Sequence, residues 1–123
     1  MNTLIVESSV QIIERLAEML LETGNVKILH LADSYDEGVK LFNEKKPDIV
    51  LLDMRLPENN SVKLLKEVKE KKPDTTVIAL TIYTDDNFQQ ECKSHGADHI
   101  FDKYLEFEKI PILIDQLKKQ AKR

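Results

Sequence analysis

At 123 residues the chain is the size of one domain, 1–123, and long enough to bury a core without a disulfide or metal staple. With 41% hydrophobic and 33% charged residues it reads as globular rather than disordered, and a net charge of −4 argues against nucleic acid or an anionic membrane surface as the main partner. The single cysteine, Cys92, excludes an internal disulfide framework and suits a reducing cytosol. No apolar run approaches the roughly 18 residues of a membrane helix, so neither a membrane span nor a signal peptide is expected.

Leu4-Ile5-Val6 reads as a short buried strand. Val10, Ile13, Leu16, Ala17, Leu20 and Leu21 then recur at three-to-four spacing, which predicts an amphipathic helix with Ser9 as N-cap and Gly24 as C-cap. Val26 to Ala32 is a second strand, and Ser34 through Glu44 a second helix containing Val39, Leu41 and Phe42. Pro47 prevents its continuation. Asp48-Ile49-Val50-Leu51-Leu52-Asp53 follows, an unbroken apolar run of the kind buried on both faces of a parallel sheet. A third helix is predicted over Ser61 to Lys71, with Val62, Leu65 and Val68 inward. Val77-Ile78-Ala79-Leu80 is the fourth strand. Asp85 or Asp86 caps a fourth helix ending near Gly96, and His99-Ile100-Phe101 is the fifth strand. The last helix runs from about Glu108 to Ala121, with Pro111 in its tolerant first turn. The basic end from Lys118 to Arg123 reads as a solvated helix terminus complementing the helix dipole, with a linker or an acidic partner as alternatives.

Five β-α units in strict alternation predict an α/β fold, a five-stranded parallel sheet with helices on both faces. Sites in such sheets lie at the carboxyl ends of the strands. Those ends are Glu7 and Ser8 after the first strand, Asp53 after the third, Thr81 after the fourth and Lys103 past the fifth. A carboxylate is a competent nucleophile toward a phosphoryl group, and phosphoryl transfer is mainly a matter of placing positive charge around three oxygens. An acid, a hydroxyl and an ammonium around Asp53 suit that chemistry, with Mg²⁺ supplying part of the charge.

Together, Leu51-Leu52-Asp53-Met54-Arg55-Leu56-Pro57, Ile78-Ala79-Leu80-Thr81, and Gly96-Ala97-Asp98 leading to Asp102-Lys103 resemble the receiver domain of two-component response regulators over essentially the whole chain. The stretch 101–108 resembles the stand-alone, single-domain type. The resemblance implies a flavodoxin-like (βα)5 sandwich with strand order 2-1-3-4-5, bacterial and cytoplasmic. It makes Asp53 the phosphoacceptor, Thr81 the switch hydroxyl and Lys103 the phosphate-pairing lysine. Glu7, Asp53 and the Arg55 backbone carbonyl fall on the Mg²⁺-ligand positions. The implied donor is a histidine kinase or phosphotransfer protein. The implied output, at helix four, strand five and helix five, is contact with a downstream protein or a second copy. Such a domain is a signalling switch rather than an enzyme, although self-catalysed phosphotransfer and dephosphorylation belong to it.

Several positions depart from the family pattern. Ser8 stands where a second metal-binding acid is usual, and a neutral hydroxyl is a poorer Mg²⁺ ligand, so weak metal binding is expected. Ile82 replaces a small residue beside the switch hydroxyl and would gate access to Asp53. Ile100 replaces an aromatic relay that Phe101 or Tyr83 would have to supply. Tyr104 replaces the proline after the lysine; a cis bond there would cost about 3–4 kcal/mol, so a weakly held trans bond is expected. Ser61 replaces a common loop glycine.

Ser8 and Ile82 also support a second reading, a binding module that works without phosphorylation. A haloacid dehalogenase-type phosphatase would need an acid two residues after Asp53, where Arg55 stands. A flavin-binding flavodoxin would need a hydroxyl-rich loop where Glu7 intervenes. Cys92, His95 and His99 are spaced like zinc ligands but lack a fourth, and His30 reads as a packed or edge residue. Val10, Ile12, Leu16 and Met19 read as core, or as a helix face that docks the phosphodonor.

Overall fold

A computed structural model describes residues 1–24, 26, 28–82 and 85–121. Tyr83, Arg123 and Lys122 before it, and Lys27 within the second strand expected above, lie outside the described residues. The elements are β1 (Asn2–Val6), α1 (Val10–Glu22), β2 (Ile28–Ala32), α2 (Tyr35–Lys45), β3 (Ile49–Asp53), α3 (Asn60–Lys71), β4 (Thr76–Thr81), α4 (Asp86–Ser94), β5 (His99–Asp102) and α5 (Lys109–Ala121). A 3₁₀ turn at Pro57–Asn59 leads into α3.

All pairings are parallel, and the sheet order is β2-β1-β3-β4-β5. The apolar run of β3 is buried at every position because the sheet is covered on both sides. Val50 and Leu52 face one layer with Phe42 of α2, Leu64, Leu65 and Val68 of α3 and Cys92 of α4. Ile49 and Leu51 face the other with Ile13, Leu16 and Leu20 of α1 and Ile110 and Ile114 of α5. This two-residue alternation assigns α2, α3 and α4 to one face and α1 and α5 to the other.

Two residues assigned to the inner stripe of α1 lie outside it: Val10 is 60% and Leu21 53% exposed. At 3.6 residues per turn both sit about 90° around the helix from the line through Ile13, Leu16 and Leu20. In α3 the inward set is Ser61, Leu64, Leu65 and Val68, whereas Val62 is only half-buried. The C-cap of α1 is Thr23, and Gly24 follows with φ +74°, the left-handed conformation in which a side chain is strained. β2 begins at Ile28 rather than Val26; Val26 is nonetheless buried. Among the described residues, no helix is long and apolar enough to cross a membrane.

Because every strand runs the same way, Val6, Ala32, Asp53, Thr81 and Asp102 end at one edge. Asp53 pairs in register with Leu80, and Thr81 with Asp102. The sheet therefore holds the ends of β1, β3, β4 and β5 in fixed positions around Asp53.

Candidate functional site

Glu7 and Asp53 are fully buried and Lys103 is 5% exposed. The Lys103 ammonium lies between the two acids, Nζ at 2.6 Å from Glu7 Oε1 and 2.7 Å from Asp53 Oδ1. Two carboxylates share one ammonium out of water, where opposite charges attract strongly and like charges repel.

The remaining donors come from backbone and hydroxyls. Ser8 Oγ donates to Asp53 Oδ2 at 2.9 Å, and the Arg55 amide donates to Oδ1 at 2.9 Å. The Ser9 amide donates to Glu7 Oε2 at 2.9 Å, while the Ser9 hydroxyl accepts from the Ile12 amide as the N-cap of α1. Glu7 thus sits at the positive end of α1. Thr81 is fully buried at the end of β4, and its carbonyl accepts from the Lys103 amide at 2.9 Å, which ties the hydroxyl's strand to the lysine's loop.

Burial pushes the Glu7 carboxyl above its ordinary 4.5, outweighing Lys103 and the Ser9 amide, and the Asp53 charge adds to the rise. Burial acts on Asp53 too, but there Lys103, a hydrogen bond with Glu7 and the Arg55 amide prevail and hold the carboxyl below 3.8. The pair is thus asymmetric: its surroundings favour the ionised form at Asp53 and disfavour it at Glu7.

A cleft of about 290 Å³ opens onto this pair, lined by Glu7, Ser8, Asp53, Arg55, Ile82, Lys103 and Tyr104, among others. The site thus gathers the expected Glu7, Ser8, Asp53, Arg55, Ile82 and Lys103, with Thr81 buried at the adjoining strand end. Ile82 lies half-buried at the cleft wall.

The donor set accommodates magnesium in part. Among the described residues no three His, Cys, Asp or Glu side chains gather to hold a metal ion. Mg²⁺, however, typically takes one or two carboxylates and completes its shell with water and phosphate oxygens. Glu7 Oε1 is a buried acceptor with no aligned hydrogen-bond donor, even though the ammonium is 2.6 Å away. Two carboxylates, one of them paired only with the ammonium at this oxygen, fit a cation shared with a phosphate rather than one caged by protein.

Two expectations need correction, on the Lys103 loop and on the relay. Among the described residues the peptide bonds are trans, Lys103–Tyr104 included as expected, but the loop is not weakly held: Asp102 Oδ1 accepts from the Tyr104 and Leu105 amides, each at 2.8 Å, and Glu106 Oε1 accepts from the Asp102 amide at 3.1 Å. A carboxylate replaces proline as the loop's anchor. Phe101 packs with the α1/α5 cluster and Ile100 with the α2/α3/α4 cluster, so Phe101 is on the wrong face to stand in for a relay at α4. Cys92 is buried, with its thiol pushed up first by burial and then by Glu91, which disfavours the thiolate that metal or nucleophilic chemistry requires.

One contributor was seen in the sequence only as a replaced glycine. Ser61 is 2% exposed; its hydroxyl donates to the Asp53 carbonyl at 2.6 Å and accepts from the Leu56 amide at 2.9 Å. The available signal was the spacing Ser61, Leu64, Leu65, Val68, which puts a polar residue on the inward stripe of α3.

The chain matches the family model described as response regulator receiver domain over residues 3–115. It is 31% identical over 111 residues to a Vibrio cholerae protein named as an uncharacterized response regulatory protein, covering 89% of this chain and 45% of that one. It is 32% identical over 98 residues to the Bacillus subtilis transcriptional regulatory protein YdfI, covering 79% and 46%. The receiver domain of the Francisella response regulator 1452 superposes with a TM-score of 0.87 at 21% identity, over 98% of both chains. The signal receiver domain of the putative response regulator NarL from Mycobacterium tuberculosis superposes with a TM-score of 0.86 at 19% identity, over 96% of this chain and 95% of that one. At these identities the superpositions speak for the fold alone. The chain spans less than half the length of the two sequence relatives.

Proposed function

Because the chain belongs to the response regulator receiver domain family, we propose that Asp53 accepts a phosphoryl group from a histidine kinase or phosphotransfer protein and thereby switches a protein-binding surface. The observation that carries this reading is the Lys103 ammonium held between Glu7 and Asp53 beside an accessible cleft.

In the transfer, an Asp53 oxygen forms the new P–O bond while the P–N bond of a donor phosphohistidine breaks. The imidazole leaves with the bonding pair and takes up a proton. Lys103, already 2.7 Å from Asp53, exchanges its carboxylate partner for a phosphoryl oxygen. When bound, a magnesium ion held by Glu7, Asp53 and the Arg55 backbone carbonyl, with Ser8 at most a weak neutral ligand, supplies positive charge to the phosphoryl oxygens. The Thr81 hydroxyl turns toward the phosphoryl group. Since β4 and the Lys103 loop are joined by the Thr81 carbonyl–Lys103 amide bond, the movement passes to α4, β5 and α5. Residues 1–123 act as one receiver domain in the cytoplasm. The output is contact with another protein or a second copy, not turnover of a substrate.

A second reading rests on one observation. The Ser8 hydroxyl caps Asp53 Oδ2 at 2.9 Å where a metal-binding acid is usual, so the domain would bind its partner without phosphorylation.

Intact-mass analysis after incubation with a small acyl phosphate and Mg²⁺, alongside Asp53→Asn, separates the two. A one-phosphate adduct that is lost in the variant supports the switch. Absence of an adduct, both with the small donor and with a phosphorylated histidine phosphotransfer protein, supports the unphosphorylated module.

A further inference from the structure

We infer that Ser61 is a positioning residue that aims the Arg55 backbone carbonyl into the phosphoacceptor cleft through the peptide unit joining Arg55 to Leu56. This rests on the reading in which that carbonyl is a metal ligand, and it assigns the group that orients it.

Ser61 does not touch the cleft. It lines a separate hollow of about 250 Å³ with Met54, Leu56, Phe88 and Cys92, whereas Arg55 lines the cleft itself. Its influence runs through the main chain. The buried hydroxyl accepts from the Leu56 amide at 2.9 Å and donates to the Asp53 carbonyl at 2.6 Å, clamping the chain on both sides of Met54 and Arg55. The Leu56 N–H and the Arg55 C=O belong to one planar peptide unit, which is trans here, so the two bonds point in opposite directions. Fixing the N–H on Ser61, beneath the loop, turns the carbonyl away from α3. The Arg55 amide is fixed as well, on Asp53 Oδ1 at 2.9 Å. Both peptide units flanking Arg55 are therefore held, one by the nucleophile and one by Ser61.

The clamp has particular weight in this chain. Ser8 offers no carboxylate, so the protein's charged donors reduce to Glu7 and Asp53 and the neutral carbonyl makes up a larger share of the cation's shell. A residue that orients a ligand without contacting the ion commonly changes metal affinity when removed.

The test is a Mg²⁺ titration of the ¹⁵N-labelled protein, followed by amide shifts, for wild type, Ser61→Ala, Ser61→Gly and Ser61→Thr. Ser34→Ala, which removes a remote helix cap, serves as a stability control. Hydrogen exchange at the Leu56 amide is read in parallel. The expected result is a loss of Mg²⁺ affinity on the order of tenfold in Ser61→Ala and Ser61→Gly, with faster Leu56 exchange. Ser61→Thr, which keeps the hydroxyl, recovers affinity, and Ser34→Ala binds as wild type. Should Ser61→Ala not fold, Ser61→Gly decides. Wild-type Mg²⁺ affinity in a folded Ser61→Ala or Ser61→Gly protein overturns the inference and leaves Ser61 a structural pin, with the proposed phosphoacceptor role intact. A wild-type protein that takes no Mg²⁺ overturns both.

Discussion

Lys103 is the residue on which the cleft depends. Its ammonium answers two buried carboxylates, so truncation leaves both without their cation; Lys103→Ala is expected to cost about 3–5 kcal/mol in denaturant unfolding, far beyond a surface lysine. Ser8 and Ile82 line the cleft, and substitutions there are expected to act first on what the cleft binds. Ser8→Asp adds a carboxylate next to Asp53 and should tighten Mg²⁺ on the order of tenfold by titration, while lowering thermal stability in metal-free buffer because three acids then face one ammonium. Unchanged Mg²⁺ affinity would show that the hydroxyl is not what limits the metal. Ile82 forms part of the cleft wall, so Ile82→Ala should speed labelling by a small acyl phosphate while changing stability little, measured as the initial rate of adduct formation. Sequence reading placed Asp53 and Thr81 at strand ends and Lys103 just past one, where the structure has them, because strand ends are legible from apolar runs. It did not reveal that Lys103 bridges Glu7 and Asp53, since side-chain reach across three strands is not written in spacing.

Among the elements, α1, α2 and α4 begin where small polar residues cap them, whereas Asn59 before α3 makes no side-chain cap bond. Asp85 Oδ1 accepts from the Phe88 amide at 2.9 Å, and Asp85→Ala should cost about 1 kcal/mol, read as a shift of the denaturant midpoint. α2 and α3 are joined by Tyr35, whose hydroxyl donates to Glu67 at 2.7 Å beneath the Lys63 ammonium. Burial, and then the Glu67 contact, push the phenol from 10 up to about 12. An acid whose folded value is raised resists ionisation only in the folded state. Stability from this contact is therefore full below pH 10 and declines as pH climbs from 10 toward 12. A tyrosinate absorbance titration should show one late-ionising group that disappears in Tyr35→Phe; an unchanged titration in the variant would exclude the assignment. The Ser9 cap is legible from local sequence, because a cap bonds within its own turn, whereas Ser34 was read as the first helical residue and the structure decides for Asp85 over Asp86. The Tyr35–Glu67 bond spans 32 positions and has no local signature.

For the whole molecule, the sheet's two faces divide the core into two clusters, one on each face. Leu16 from α1 and Leu65 from α3 are fully buried on opposite faces, so each leucine-to-alanine change should cost about 2–5 kcal/mol in chemical denaturation. The two sites are remote enough for the costs to add. Coupling beyond about 0.5 kcal/mol would indicate that the faces communicate through the sheet more tightly than their separate packing suggests.

By itself the sequence determined the parallel α/β fold, the strand that ends in Asp53, and the edge at which Thr81 and Lys103 stand. Apolar runs and helical periods are local consequences of burial, and parallel strands must end together. Tertiary structure decided the rest. It put the Lys103 ammonium within 2.7 Å of two acids and buried Ser61 beneath the loop that follows Asp53. Each of these depends on where a side chain lands after distant elements pack, and their distances become fixed only once the sheet has closed on its helices.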